Sequence, residues 1–251
     1  MPPIRIAMWS GPRNISTAMM RAWENRPDTV VHDEPFYAHY LAETGIDHPG
    51  RDEIIAADET DWRRVVEQVA HAPLPAGKTV YFQKQMTHHI LDHIDLAWLG
   101  EVSNCFLLRT PGEVINSYLK VRPDFTLFDI GFAQQRHIFR TVREATGQIP
   151  PVIDSRDVLE YPRHTLSLLC EALGVPFDER MLAWPAGPRP SDGVWARHWY
   201  AAVEASTGFE PYRRKDAPVP EHLADVLAEA EDIYAELYQF RLKPGDDGMM
   251  G

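Results

Sequence analysis

Five short apolar runs recur along the chain without the strict alternation of a half-exposed sheet: residues 4–9, 29–32, 79–83, 103–108 and 151–153. Continuous apolar strands are those covered on both faces, as in parallel sheets. Stretches with helical spacing separate them and predict helices over 16–25, 61–72, 87–98, 112–120, 127–146, 158–173 and 220–240. In the last, Leu223, Val226, Leu227, Ala230, Ile233, Tyr234 and Leu237 fall on one stripe, which belongs in a core. Alternating strands and helices imply an α/β fold: a parallel sheet of about five strands, helices on both faces, and ligands at the strand carboxyl ends.

A chain of 251 residues fits one such domain, expected over 1–243, with the Gly/Asp-rich end 244–251 expected to be disordered. No apolar stretch approaches the roughly 18–20 residues of a membrane span, and a strand so near the start leaves no room for a signal peptide. Cys105 and Cys170 fall in predicted core elements, which suits reduced thiols and a cytoplasmic location better than a disulfide framework. A net charge of −12 argues against nucleic acid or an anionic membrane as the main partner, yet leaves room for a local anion site inside an acidic shell.

Such a site is written into the first strand–helix junction, IRIAMWSGPRNISTAMMRAW. A strand runs into Gly11, Pro12, Arg13 and Asn14, and a helix opens at Ser16 and Thr17. Backbone N–H groups and a helix N-terminus then face an anion. The nucleotide-hydrolase loop G-x-x-x-x-G-K-[ST] is not met: Arg13 is the cation, no Gly-Lys pair follows, and Ile15 stands where a second glycine is expected. A β-branched residue is costly at positive φ, so Ile15 is expected to be helical already and Gly11 to make the turn. A second junction, SNCFLLRTPGEVINSYLKVRP, ends a strand at Arg109 and begins a helix with Thr110 as N-cap, Pro111 at its first position and Glu113 as capping-box acid. Ser117 lies two turns inside it.

These junctions resemble sulfotransferases that use 3′-phosphoadenosine 5′-phosphosulfate (PAPS). Pro12, Arg13, Asn14, Ile15, Ser16 and Thr17 match their Pro-Lys/Arg-Ser-Gly-Thr-Thr loop, and Arg109 with Ser117 matches their 3′-phosphate pattern. GPRPSDGVWARHWY, 187–200, is similar to their late loop: Trp195 and His198 fall on its Trp and His, Arg189 falls one residue from its Arg, and its Lys-Gly is missing. Lys84 in YFQKQMTHHI matches a Lys that precedes a Thr-His, but Met86 stands at the His, with His88 and His89 just beyond. Glu34-Pro35-Phe36 matches a bacterial pattern whose Glu is a proposed base.

The resemblance implies a P-loop fold, PAPS as co-substrate, no metal, and transfer of a sulfuryl group to a hydroxyl or amine of a small-molecule acceptor. It implies donor contacts from Gly11 to Asn14, Ser16, Thr17, Arg109, Ser117 and Arg189, and chemistry from Glu34, Lys84, His88 and His89. Glu34 is preferred as base, because Pro35, Phe36 and Tyr37 would bury it and raise its proton affinity. Other readings stay open. VVHDE looks like a Walker B strand, so a P-loop kinase or NTPase is one; a protein that binds PAPS without turnover is another. His89 and His93 are spaced to share a helix face, a metal-capable arrangement without a third ligand. The long stretch 36–75 either covers the acceptor pocket or is a plain surface excursion.

Overall fold

The protein is described by a computed structural model over residues 2–214 and 217–243; the expected disordered end, 244–251, lies outside the described residues. Five strands, β1 (Ile4–Ser10), β2 (Thr29–Asp33), β3 (Val80–Met86), β4 (Ser103–Leu108) and β5 (Val152–Asp154), form one sheet in the order β2-β3-β1-β4-β5. All four pairings are parallel. The apolar runs follow from two covered faces. Ile6 and Met8 of β1, with Cys105 and Leu107 of β4, enter one core. Ala7 and Trp9, with Phe106 and Leu108, enter the other. Both cysteines are buried and free, as their placement in core elements led one to expect.

The helices are α1 (Ser16–Glu24), α2 (Tyr37–Thr44), α3 (Arg51–Ala57), α4 (Trp62–Val66), α5 (Pro111–Tyr118), α6 (Phe132–Thr146), α7 (Ser155–Glu160), α8 (Pro162–Ala172), α9 (Ala196–Trp199), α10 (Ala201–Glu204) and α11 (Ala224–Tyr238). The apolar stripe of α11 is in place: Ala230, Ile233 and Leu237 are fully buried, with Val226, Leu227 and Tyr234 packed beside them. No helix among the described residues is long and apolar enough to cross a membrane.

Several expected helices differ, each for an identifiable reason. The helix expected over 87–98 is absent; short 3₁₀ turns occupy Thr87–His89 and Ala97–Glu101. Thr87 Oγ1 donates to the distant Gly131 carbonyl at 2.8 Å, and Asp95 Oδ1 accepts from Ala97 N at 2.9 Å, so one tertiary and one local side-chain bond compete with the helix. The helix expected over 61–72 ends in a π turn, Glu67–His71, where Arg5 and Gln83 side chains donate to the Val69 carbonyl. The helix expected over 127–146 starts only at Phe132, because Asp129 folds back onto Thr126. The helix expected over 158–173 begins earlier, at Ser155, capped by the Asp154 side chain, and breaks before Pro162, where Tyr161 takes φ −135°. Proline lacks the donor an uninterrupted helix needs and disfavours helical backbone before it.

The segment leading to Tyr200 is fastened to α1. Arg21, 1% exposed, grips Asp192 with both terminal nitrogens, Nη1 to Oδ1 at 2.6 Å and Nη2 to Oδ2 at 2.7 Å. Asp192→Ala leaves a buried guanidinium with Glu24, 3.6 Å away, and Asp33 as its remaining counter-charges. The expected loss is roughly 2 kcal/mol of stability, read as a lower urea midpoint at constant slope. An unmoved midpoint would show that the clamp contributes nothing.

Candidate active site

The carboxyl ends of all five strands contribute to one cavity of about 920 Å³: Pro12 to Ala18 after β1, Glu34 after β2, Lys84 and Met86 of β3 with His88 and His89, Arg109 after β4 and Ser155 after β5. Ligand pockets commonly fall between about 300 and 1,000 Å³, so this one has room for two reactants.

On one wall the loop after β1 turns into α1. Arg13, not Gly11, takes the left-handed conformation, with φ 59°. Gly11 is required by close packing instead: a Cβ there would lie 2.5 Å from the Ile130 carbonyl oxygen. Ile15 keeps a negative φ (φ −88°, ψ 22°), as its branched side chain demands, but it is the N-cap residue of α1 and lies just outside the helix it was expected to have entered. No side chain caps α1 and its first turn carries no acid, so its N-terminal partial positive charge is uncompensated. Ser16 and Thr17 line the cavity at that end. Asn14 also lines it, but its side chain anchors the loop, donating to the Leu107 carbonyl at 3.1 Å and accepting from Ile15 N at 2.8 Å.

Arg13 Nε donates to Ser117 Oγ at 3.1 Å, across 104 residues of chain. Arg109 Nη1 donates to the Arg13 carbonyl at 2.5 Å, and its Nε pairs with Glu113 at 3.0 Å. The two junctions singled out in the sequence thus meet. Burial, and then the neighbouring Arg109 charge, lower the proton affinity of Arg13. An anion placed here would relieve that repulsion. Glu113 does not close a capping box; Thr110 makes no side-chain cap, and Glu113 accepts from Arg109 and from Tyr212 Oη, the latter at 2.8 Å.

On the other wall the β2/β3 register sets Asp33 beside Lys84. Lys84, 2% exposed, donates to Asp33 Oδ1 at 2.8 Å, Glu34 Oε1 at 2.5 Å and Tyr200 Oη at 2.7 Å. Burial alone would lower its proton affinity; Asp33 and Glu34 outweigh that and hold it charged, well above the ordinary lysine value. Glu34 has left-handed backbone, with φ 46°. Together with Arg13 it completes the non-glycine residues of positive φ among those described, and such strain gathers at functional sites. Burial pushes the Glu34 carboxyl up, against the pull of Lys84, and Asp33 adds to the rise.

His88 and His89 are buried in the 3₁₀ turn rather than facing solvent. His89 stacks on Tyr37 with ring centroids 4.6 Å apart and on Tyr40 at 4.9 Å, and its Nε2 lies 3.9 Å from Glu34 Oε2. Burial lowers His88 to about 3 and takes His89 well below its ordinary value. Both rings are therefore neutral and weakly basic near pH 7.

Some expected placements are corrected. Arg189 does not line the cavity; its side chain donates to the Pro185 carbonyl at 3.0 Å, and Arg213 lines the cavity instead. His198 is exposed and contacts Arg197, while Trp195 is buried at the site. Without a helix at 87–98, His89 and His93 share no face. His93 Nε2 meets His39 Nε2 at 3.1 Å, and no group of three or more potential metal ligands exists among the described residues. Of the 36–75 stretch, Tyr37, Asp47, His48 and Pro49 line the cavity, so part of it is a cover. Asp33 of the Walker B-like strand is surrounded by Lys84, Tyr200 and Gly193 N. Sequence reasoning assigned no role to Tyr200 or Arg213. Tyr200 ends the stretch 187–200, and nothing in its local pattern marks it.

A family model described as a sulfotransferase domain matches residues 4–239. Two Arabidopsis thaliana proteins, branched-chain-amino-acid aminotransferase-like proteins 2 and 1, are 33% identical over 230 residues and 34% identical over 232 residues. The alignments cover 91% and 92% of this chain but 40% and 41% of those proteins, so the chain spans about two-fifths of their length. Among solved structures, the sulfotransferase domain of the Synechococcus PCC 7002 olefin synthase superposes with a TM-score of 0.58 at 19% identity, over 96% of both chains. The sulfotransferase domain from the curacin biosynthetic pathway superposes with a TM-score of 0.51 at 17% identity, over 94% of this chain and 98% of the other. At these identities the likeness is one of fold.

Proposed function

The chain belongs to the sulfotransferase domain family, and from that premise we propose that it is a PAPS-dependent sulfotransferase acting on a hydroxyl or amine of a small-molecule acceptor. We read residues 1–243 as one such domain. One observation carries the reading: the Arg13–Ser117–Arg109 cluster and the uncapped α1 N-terminus line the same cavity as the Lys84–Glu34 pair. An anion binder and a proton acceptor with a cation beside it are the two parts that in-line sulfuryl transfer needs.

PAPS, when bound, supplies the sulfuryl group and the phosphate on which charge collects as the S–O bond to the donor breaks. Arg13, the α1 N–H groups and the Ser16 and Thr17 hydroxyls would hold the 5′-phosphosulfate. Arg109 and Ser117 would read the 3′-phosphate, with Arg213 available in place of Arg189. Glu34 would take the proton of the acceptor's hydroxyl or amine. Its raised proton affinity suits that task, whereas the depressed basicity of His88 and His89 does not. Lys84 keeps its charge throughout and offsets the negative charge gathered at the cavity floor.

Calorimetric titration of the purified protein with 3′-phosphoadenosine 5′-phosphate and, separately, with ATP and Mg²⁺ tests the reading. The bisphosphate is expected to bind more tightly, and Arg109→Ala to erase that preference rather than weaken both ligands equally. Equal affinities in the parent protein would favour the kinase reading. Binding of PAPS without transfer to any acceptor would favour a non-catalytic binder.

A further inference from the structure

We propose that Asp33 and Tyr200 are positioning residues that divide the Lys84 charge between two carboxylates and so set how tightly Glu34 holds a proton. The geometry is a closed set of short contacts. Lys84 Nζ donates to Asp33, Glu34 and Tyr200, and the Tyr200 hydroxyl donates in turn to Asp33 Oδ2 at 2.6 Å. Gly193 N and Trp195 Nε1 complete it, donating to Asp33 Oδ2 and Tyr200 Oη, each at 3.3 Å. Lys84 has three N–H groups, and each has one acceptor here. Its position is therefore fixed from three directions, two carboxylates and one neutral oxygen.

Two carboxylates share one ammonium, so one negative charge is left over. The contacts decide which carboxylate carries it less well. Asp33 receives donors from Tyr200 and Gly193 besides Lys84. Glu34, on strained backbone at the cavity, has Lys84 as its hydrogen-bond donor, with the Tyr37 and His89 rings close by. Asp33 flanks Glu34 on β2, Lys84 faces it from β3, and His88 and His89 approach from the 3₁₀ turn. Tyr37 and Tyr40 come from α2 and Tyr200 from the late loop. Donation from Tyr200 relieves Asp33 and leaves more of the Lys84 charge to Glu34.

The segment that delivers Tyr200 and Gly193 is the one Arg21 and Asp192 fasten to α1. A continuous run of contacts thereby joins α1 to the Lys84–Glu34 pair, although 116 residues separate Lys84 from Tyr200.

The test is titration of the free protein, labelled with carbon-13 at the glutamate side-chain carboxyls and followed by NMR, with the Glu34 signal assigned by its loss in Glu34→Gln. Asp33→Asn removes a like charge and gives Glu34 the whole of Lys84, so its midpoint is expected to fall by about one pH unit. Tyr200→Phe leaves Asp33 short of a donor, so the Glu34 midpoint is expected to rise. Opposite displacements in the two folded variants support the proposal. An unmoved midpoint, or movement in the same direction in both, overturns it. Should Asp33→Asn not fold, Tyr200→Phe, which removes a single oxygen, decides alone: a rise supports and anything else overturns. The catalytic meaning of the result rests on Glu34 being the base. The titration itself involves neither PAPS nor an acceptor, so failure of donor binding and failure of this inference remain separate results.

Discussion

Glu34→Gln is expected to lower sulfuryl transfer by a factor of about 10²–10⁴ while leaving affinity for the donor nearly unchanged. The amide keeps the size of the side chain and an oxygen for Lys84, but it takes no proton near pH 7. Lys84 still has Asp33 and Tyr200, so the cavity floor should stay in place. The like-charge repulsion between residues 33 and 34 also disappears, which works against any loss of stability. Radiolabelled sulfuryl transfer from PAPS to a panel of alcohols, phenols and amines measures the effect, beside calorimetry with 3′-phosphoadenosine 5′-phosphate. His88→Asn and His89→Asn should change turnover by less than about tenfold, because burial has already removed most of their basicity. A folded Glu34→Gln variant with near-normal turnover, alongside an inactive histidine variant, would move the base to the 3₁₀ turn.

Arg13→Ala is expected to cost roughly 2–4 kcal/mol of donor affinity, a factor of about 30–1,000. Among the described residues its guanidinium makes no ion pair; its Nε donates to the neutral Ser117 hydroxyl, and the Arg109 charge repels it. Removing it therefore breaks no structural charge pair, and the free protein should unfold at an unchanged or slightly higher urea concentration. That separation matters. Loss of binding together with loss of fold would say nothing about the site, whereas loss of binding alone assigns Arg13 to the anion. Unchanged affinity for the bisphosphate in the folded variant would remove the loop from consideration.

Both junctions behind these expectations are local in sequence, and that is why they can be read there. A strand of a few residues, a tight turn and a helix start form from neighbours along the chain. Arg109, Pro111 and Ser117 keep the spacing that their helix imposes, and β4 has the limits its apolar run predicts. Elsewhere the local pattern misled. Ile90, Ile94 and Trp98 are four apart and buried, as on a helix, yet turns pinned by Thr87 and Asp95 deliver the same burial without one. Arg189 matched by alignment of a neighbouring Trp, but Asp192 accepts from its backbone N at 2.7 Å and its side chain bonds the Pro185 carbonyl. At the anion loop, glycine was the natural choice for left-handed backbone; the structure gives that conformation to Arg13 and uses Gly11 for its missing side chain.

The sequence by itself determined the α/β class, the five strands, the two-faced burial of the sheet and the two strand–helix junctions that carry Arg13 and Arg109. Each is set by periodicity or by residues within a turn of one another, where backbone sterics and hydrogen bonding act directly. The tertiary structure alone decided the strand order, the burial of His88 and His89, and the company Lys84 keeps. Those depend on the β2/β3 register and on a late loop held to α1 by a buried ion pair. The proton affinity of Glu34 follows from the same source. Desolvation and the charges of Asp33 and Lys84 fix it, and these act through space, between groups that the chain brings together only when it folds.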